Sequence, residues 1–184
     1  MAPISGFLPV ILVAAFAIAS PATLVTRQEL VTAQTIQQDV INIHTGVKSL
    51  SEHLSAYNGE PSTAVPLAGD FTAIHLANRK GFANANIRQT DFTAEESTAI
   101  VQTVIDTVGI SIPVSVDITK EKKPVFDEAG LSPVILGALI ILLDDHDTFS
   151  AAVQEDLSAD FVRAQEVVDR IHDAIQDGID FYST

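Results

Sequence analysis

Apolar residues recur along this chain at helical spacing. Ile36, Val40, Ile43, Val47, Leu50 and Leu54 step by four and three, drawing one stripe down a single long helix. The stripe ends at "YNGEPS", where Gly59 and Pro61 act as breakers. Leu67, Phe71 and Ile74 mark a second helix from Ala64 to about Phe82, and "NRKGFANANIRQTD" beyond it is undecided because Gly81 and the Asn residues weaken the pattern. "TAEE" predicts a fresh start, with Thr93 as cap and Glu96 reaching back three residues later. Ile100, Val101, Val104, Ile105 and Val108 follow, and Gly109 fits a stop.

Ser111 before "IP" and Ser132 before Pro133 share the form of a serine cap with proline in the first turn. "IPVSVDITKEKKPVFDEAG" is expected to be helical with a break at Pro124, although its Val and Ile content also permits a strand. One helix then runs from Pro133 to about Glu155, and a last one follows Ser158 with Phe161, Ala164, Val168, Ile171, Ile175 and Tyr182 along it. No alternating strand pattern persists. The pattern predicts an all-α bundle of five to six amphipathic helices around one apolar helix.

That apolar helix raises a question of function. From Val134 to Leu143 it carries no polar side chain, and Asp144, Asp145 and Asp147 then end the run. It is too short to cross a bilayer, which needs about 20 apolar residues. It is therefore either plain core or the wall of a space that holds an apolar ligand. Gly137 and Ala138 would let a neighbour approach closely or leave room for a guest chain. Ser115, among Val114, Val116 and Ile118, would offer a hydroxyl to a ligand carboxylate or bond its own backbone. Spacing alone leaves both readings open.

Composition narrows the class. A chain of 184 residues fits one domain. Its 10 Lys+Arg against 24 Asp+Glu give a net charge of -14, which argues against nucleic acid and anionic membranes as partners. "FLPVILVAAFAIA", Phe7 to Ala19, reads as the apolar part of a secretory signal at residues 1–19, with Ala17-Ile18-Ala19 as cleavage site. A domain at 20–184, secreted and extracellular without a transmembrane anchor, is the expectation. With no cysteine, disulfides cannot staple it, so stability must come from burial between long elements.

Catalytic chemistry finds no foothold in the motifs. "GISIP" and "GLSPV" lack the second glycine of a nucleophile elbow, and their serines read as helix caps. The residues of "DDHD", Asp144 to Asp147, point in different directions on a helix and read as a solvated polar turn rather than a metal site. His172, beside Asp169 and Asp173, reads as part of an exposed face. No enzyme activity, cofactor or metal is expected.

The order of features resembles the hydrophobic surface-binding protein A family of filamentous fungi, which includes antigenic cell-wall galactomannoproteins. The residues that carry the likeness are the leader, "VINIHTGVKSLSEHLSAYNG", the "IPVSVDITKEKKPVFDEAG" block with Lys123 and Phe126, the "VILGALIILLDDHDTFSAAV" helix and the final amphipathic helix. The resemblance implies a secreted, cysteine-free helical bundle that binds apolar matter. The ligand is either a hydrophobic surface outside or a fatty-acid-like lipid inside, and a secreted polyester- or lipid-degrading hydrolase is the implied protein partner. A structural wall protein with a plain core is the competing reading. Lacking a Ser/Thr-rich tail, the chain is expected to be freely secreted rather than covalently wall-bound. Candidate ligand contacts, drawn from the apolar helix and its neighbours, are Phe71, Ile74, Ser115, Phe126, Leu136, Leu139, Ile140 and Leu143.

Overall fold

Thr32 and Thr35 exchange side-chain-to-backbone hydrogen bonds of 3.2 and 3.3 Å, closing a capping box that starts α1, Ala33–Ala56. The structure, a computed structural model, describes residues 31–184, so the expected leader lies outside the described residues. Six helices follow: α2 Pro61–Ile87, α3 Ala94–Asp106, α4 Val108–Glu121, α5 Lys123–Glu128, α6 Ser132–Glu155 and α7 Phe161–Tyr182. The described residues contain no strand.

Several boundaries differ from the sequence expectation. Pro61 does not merely break the chain; it opens α2 in the first turn, where its missing N–H costs nothing. The undecided "NRKGFANAN" stretch is helical to Ile87, because Gly81 is a packing residue there. A Cβ at Gly81 would stand 2.6 Å from the ζ carbon of Phe149 on α6, so the absent side chain is what lets the two helices meet. Gly109 is not a stop. α3 ends one step earlier, at a kink centred on Thr107 (φ -120, ψ -92), and Gly109 sits inside α4 against Val167. Neither Ser111 nor Ser132 is a cap. Thr107 and Leu131 hold those positions, the Ser111 hydroxyl bonds His44 on α1 at 2.9 Å, and Ser132 donates to Asp127. The break at Pro124 is present, between α4 and α5.

Across the kink, α3 and α4 form one long wall, Ala94–Glu121. It is apolar and long enough to span a bilayer by composition, yet here it lies along α1 and α7. Five staves then close a ring in the order α1, α2, α6, α7 and α3–α4, each packed on the next. Every seam carries a polar pin. His53 donates to Asp70 (2.6 Å) between α1 and α2, and His75 to Asp145 (2.6 Å) between α2 and α6. His172 donates to Asp147 (2.9 Å) between α7 and α6, Lys120 to Asp177 between α4 and α7, and His44 meets Ser111 between α1 and α4.

The all-α bundle agrees with expectation, but the apolar helix is a stave of the ring and not its axis. Ile140 and Ile141 on its outer face are 50 % and 52 % exposed. Each end is sealed. At the α5 end, Phe126, 0 % exposed, stacks on Tyr57 with ring centroids 4.6 Å apart, and Lys122 caps the last carbonyls of α1. At the other end, Arg88 lies 3.9 Å over the Phe92 ring and donates to the Val31 carbonyl, while the Phe92 amide donates to the Asp156 carbonyl.

Candidate functional site

A ring of five helices leaves a wider axis than a ring of four, because neighbours still pack 8–10 Å apart. Side chains from all five staves point into that axis and do not fill it. They enclose a cavity of about 110 Å³. Its wall is almost wholly apolar, with Ile43 and Val47 from α1, Ile74 from α2, Val108 and Val116 from α4, and Ile171 and Ile175 from α7. α6 contributes Leu139, Leu142, His146, Phe149 and Val153, the regular three-and-four spacing of one helical face.

Four of the eight sequence candidates, Phe71, Ile74, Ser115 and Leu139, line the cavity. The other four lie outside its wall. Ile140 is half exposed, and Leu136 and Leu143 are partly buried against the core beside the lining face. Phe126 lies in the plug under α5. A run with no polar side chain from Val134 to Leu143 carries no mark of which face turns inward. The mark lies further on, where Phe149 and Val153 extend the Leu139–Leu142 face past the aspartates. Gly137 is not the close approach either: a Cβ there would meet nothing within 4 Å, and the residue is not in the wall.

The polar groups of the wall are few. Ser115 is 5 % exposed and its Oγ is buried, without a hydrogen-bond partner among the described residues. Such an orphan hydroxyl costs about 1–3 kcal/mol against one that is satisfied. Thr119 spends its hydroxyl on the Ser115 carbonyl (2.8 Å), and Asn78 donates to the Ile74 carbonyl (3.0 Å). His146, 8 % exposed, has Nε2 at 3.1 Å from the Val168 carbonyl and Nδ1 at 3.4 Å from the Ser150 hydroxyl. Since a carbonyl only accepts, Nε2 carries the hydrogen. Burial holds this imidazole below its usual pKa range, against a smaller opposing effect from the Val168 carbonyl.

The "DDHD" tetrad is therefore no solvated turn. It lies in mid-helix, with Asp145 buried under His75, His146 in the cavity wall and only Asp144 and Asp147 exposed. Sequence reasoning missed His146 because the aspartates around it read as an end to the apolar face.

Comparison with known proteins places this arrangement. The family model for hydrophobic surface binding protein A matches residues 33–155. The chain belongs to that family. Among solved structures, AFMP4P in complex with palmitic acid is similar at TM-score 0.78 and 24 % identity, covering 82 % of this chain and 99 % of that one. Ligand binding domain 1 of the Penicillium marneffei MP1 protein, complexed with arachidonic acids, has TM-score 0.76 and 24 % identity over 83 % of this chain and 100 % of that one. Ligand binding domain 2 of the same protein, complexed with multiple arachidonic acids, has TM-score 0.76 and 18 % identity, covering 83 % and 96 %. No curated protein sequence matches. At these identities the solved structures show that this chain shares their fold.

Proposed function

We propose that this protein is a non-enzymatic carrier that holds a fatty-acid-like lipid in its axial cavity. One observation carries the reading: an apolar space lined by all five staves, with a Ser115 hydroxyl in its wall that has no partner among the described residues. A ligand carboxyl would satisfy that hydroxyl. The fatty acids bound to its structural neighbours support the same ligand class. About 110 Å³ suits a short chain, so a long one needs the staves to spread. The absence of any cysteine in the chain and the half-exposed polar pins at several seams make spreading cheap. On this reading the protein works outside the cell, which the leader-like Phe7–Ala19 supports.

The test is native mass spectrometry of the protein from a secreting host, before and after organic extraction. The expected result is a co-purifying lipid lost on extraction and regained from added fatty acid. An apo mass that takes up none would overturn the carrier reading.

One observation favours a second mode, adsorption to hydrophobic surfaces with recruitment of a hydrolase there. Val65 and Leu76 on α2 and Val134, Ile140 and Ile141 on the adjacent α6 are exposed apolar side chains. Replacing Leu76, Ile140 and Ile141 with Ser should abolish adsorption to a polyester film and leave lipid uptake intact. Unchanged adsorption would rule this face out.

A further inference from the structure

Among the described residues, His146 is the only ionisable side chain that lines the cavity. From α1 and α3–α4 the wall presents apolar groups and the hydroxyls of Ser115 and Thr119; from α2 it presents Phe71, Ile74 and Asn78. α7 presents only Ala, Val and Ile. The charged groups nearest His146 are already engaged outside the wall. Asp145 is held by His75 of α2, and Asp147 by His172 of α7, with Asp169 and Asp173 close to His172. Among the described residues no Lys or Arg lines the cavity.

This composition constrains how an acid can enter. A bare carboxylate against an apolar wall is heavily disfavoured, and the net charge of -14 repels it further. The Ser115 hydroxyl can donate a hydrogen bond but brings no compensating charge. The Nδ1 atom of His146 is different: Nε2–H is committed to Val168, and Nδ1 has only the long 3.4 Å contact to Ser150. Its basic lone pair is only weakly engaged, and the ring lies in the wall.

We infer that His146 is the proton partner of a carboxylic-acid ligand, so that loading one acid carries one solvent proton into the cavity. The inference rests on the carrier reading above. The proton lies between the carboxyl oxygen and Nδ1, on one or the other; no other bond forms or breaks, and acid and imidazole together remain neutral. Because burial keeps the unliganded ring neutral, free protein and free acid are both unprotonated above about pH 6.5. From there, each pH unit should weaken acid binding up to about tenfold. A neutral alcohol of the same chain length should show no such slope.

The experiment measures affinity for decanoic acid and decan-1-ol, both short enough to stay monomeric, from pH 6.5 to 8.5. The expected result is a falling affinity for the acid and a flat one for the alcohol. An equally flat profile for the acid would overturn the inference. His146→Gln keeps an amide N–H for the Val168 carbonyl. It should weaken decanoic acid at pH 6.5 at least tenfold while decan-1-ol stays within about twofold. Equal losses for both ligands, or none, would count against a proton-partner role. Should the variant not fold, histidine nitrogen NMR of the unaltered protein decides: decanoic acid should move the His146 Nδ1 signal toward its protonated position, and decan-1-ol should not. No movement with acid refutes the inference. Binding of neither ligand would instead refute the carrier reading itself.

Discussion

The α5 end of the bundle and its middle are built from the same kinds of residue, yet one is solid and the other hollow. At the end, α5 sends Phe126 across the axis onto Tyr57, so a side chain occupies the centre of the ring. In the middle no element among the described residues crosses, and the inward residues of five staves meet around a cavity. Apolar composition does not decide between core and cavity. What decides is whether some element reaches the axis.

The largest test of that contrast is Phe126→Ala, which would extend the hollow into the plug. It should cost about 3–5 kcal/mol in chemical unfolding, the range for removing a fully buried Phe. A loss under 1 kcal/mol would show that the end is not the solid region it looks.

Gly81→Ala should cost less, at most about 1–3 kcal/mol. The added methyl drives the Phe149 ring away, and that ring faces the cavity, so it has somewhere to go. Lipid uptake should fall more than stability. The reverse order would mean that Phe149 has no room to move.

The hollow middle also predicts a pH dependence of stability. His146 has its folded pKa depressed by burial, so below about pH 6.5 the unfolded chain binds a proton that the folded one refuses. Stability without ligand should therefore fall on acidification from pH 7 to 5, by at most about 1.4 kcal/mol per unit from this residue. His146→Gln should flatten the fall. His172 works in the opposite sense. Its bond to Asp147 raises its folded pKa, so its contribution is present below about pH 6.5 and is lost as pH rises through the folded value. That pair is exposed and its weight is small.

The smallest effect belongs to Ser115→Ala. Removing an unpaired buried hydroxyl should leave stability within about 1 kcal/mol of the original or raise it, while affinity for a fatty acid drops. A clear destabilisation would mean that the hydroxyl has a partner in the folded protein, and the site would lose its anchor.

Much of this was legible in the chain. The α1 stripe, the Thr93–Glu96 capping box and the break at Pro124 are local features, written in spacing and cap chemistry, and each stands where the pattern put it. Ser115 was legible too, as a lone hydroxyl in an apolar stretch. The inward face of α6 was not, because Val134–Leu143 is apolar all round and only neighbouring helices choose a side. His146 was hidden by the aspartates beside it, whose charges are met by histidines far away in sequence. Gly81 only weakened the helical pattern in the sequence, and its packing role shows once Phe149 stands against it.

By itself, then, the sequence determined an all-helical chain, its acidity and its dependence on burial without crosslinks, since these follow from local propensity and composition. The tertiary structure decided which face of each helix looks inward, that five staves rather than four close the ring, and hence that the axis holds a cavity. Those outcomes depend on distances between residues remote in the chain, which no local spacing records.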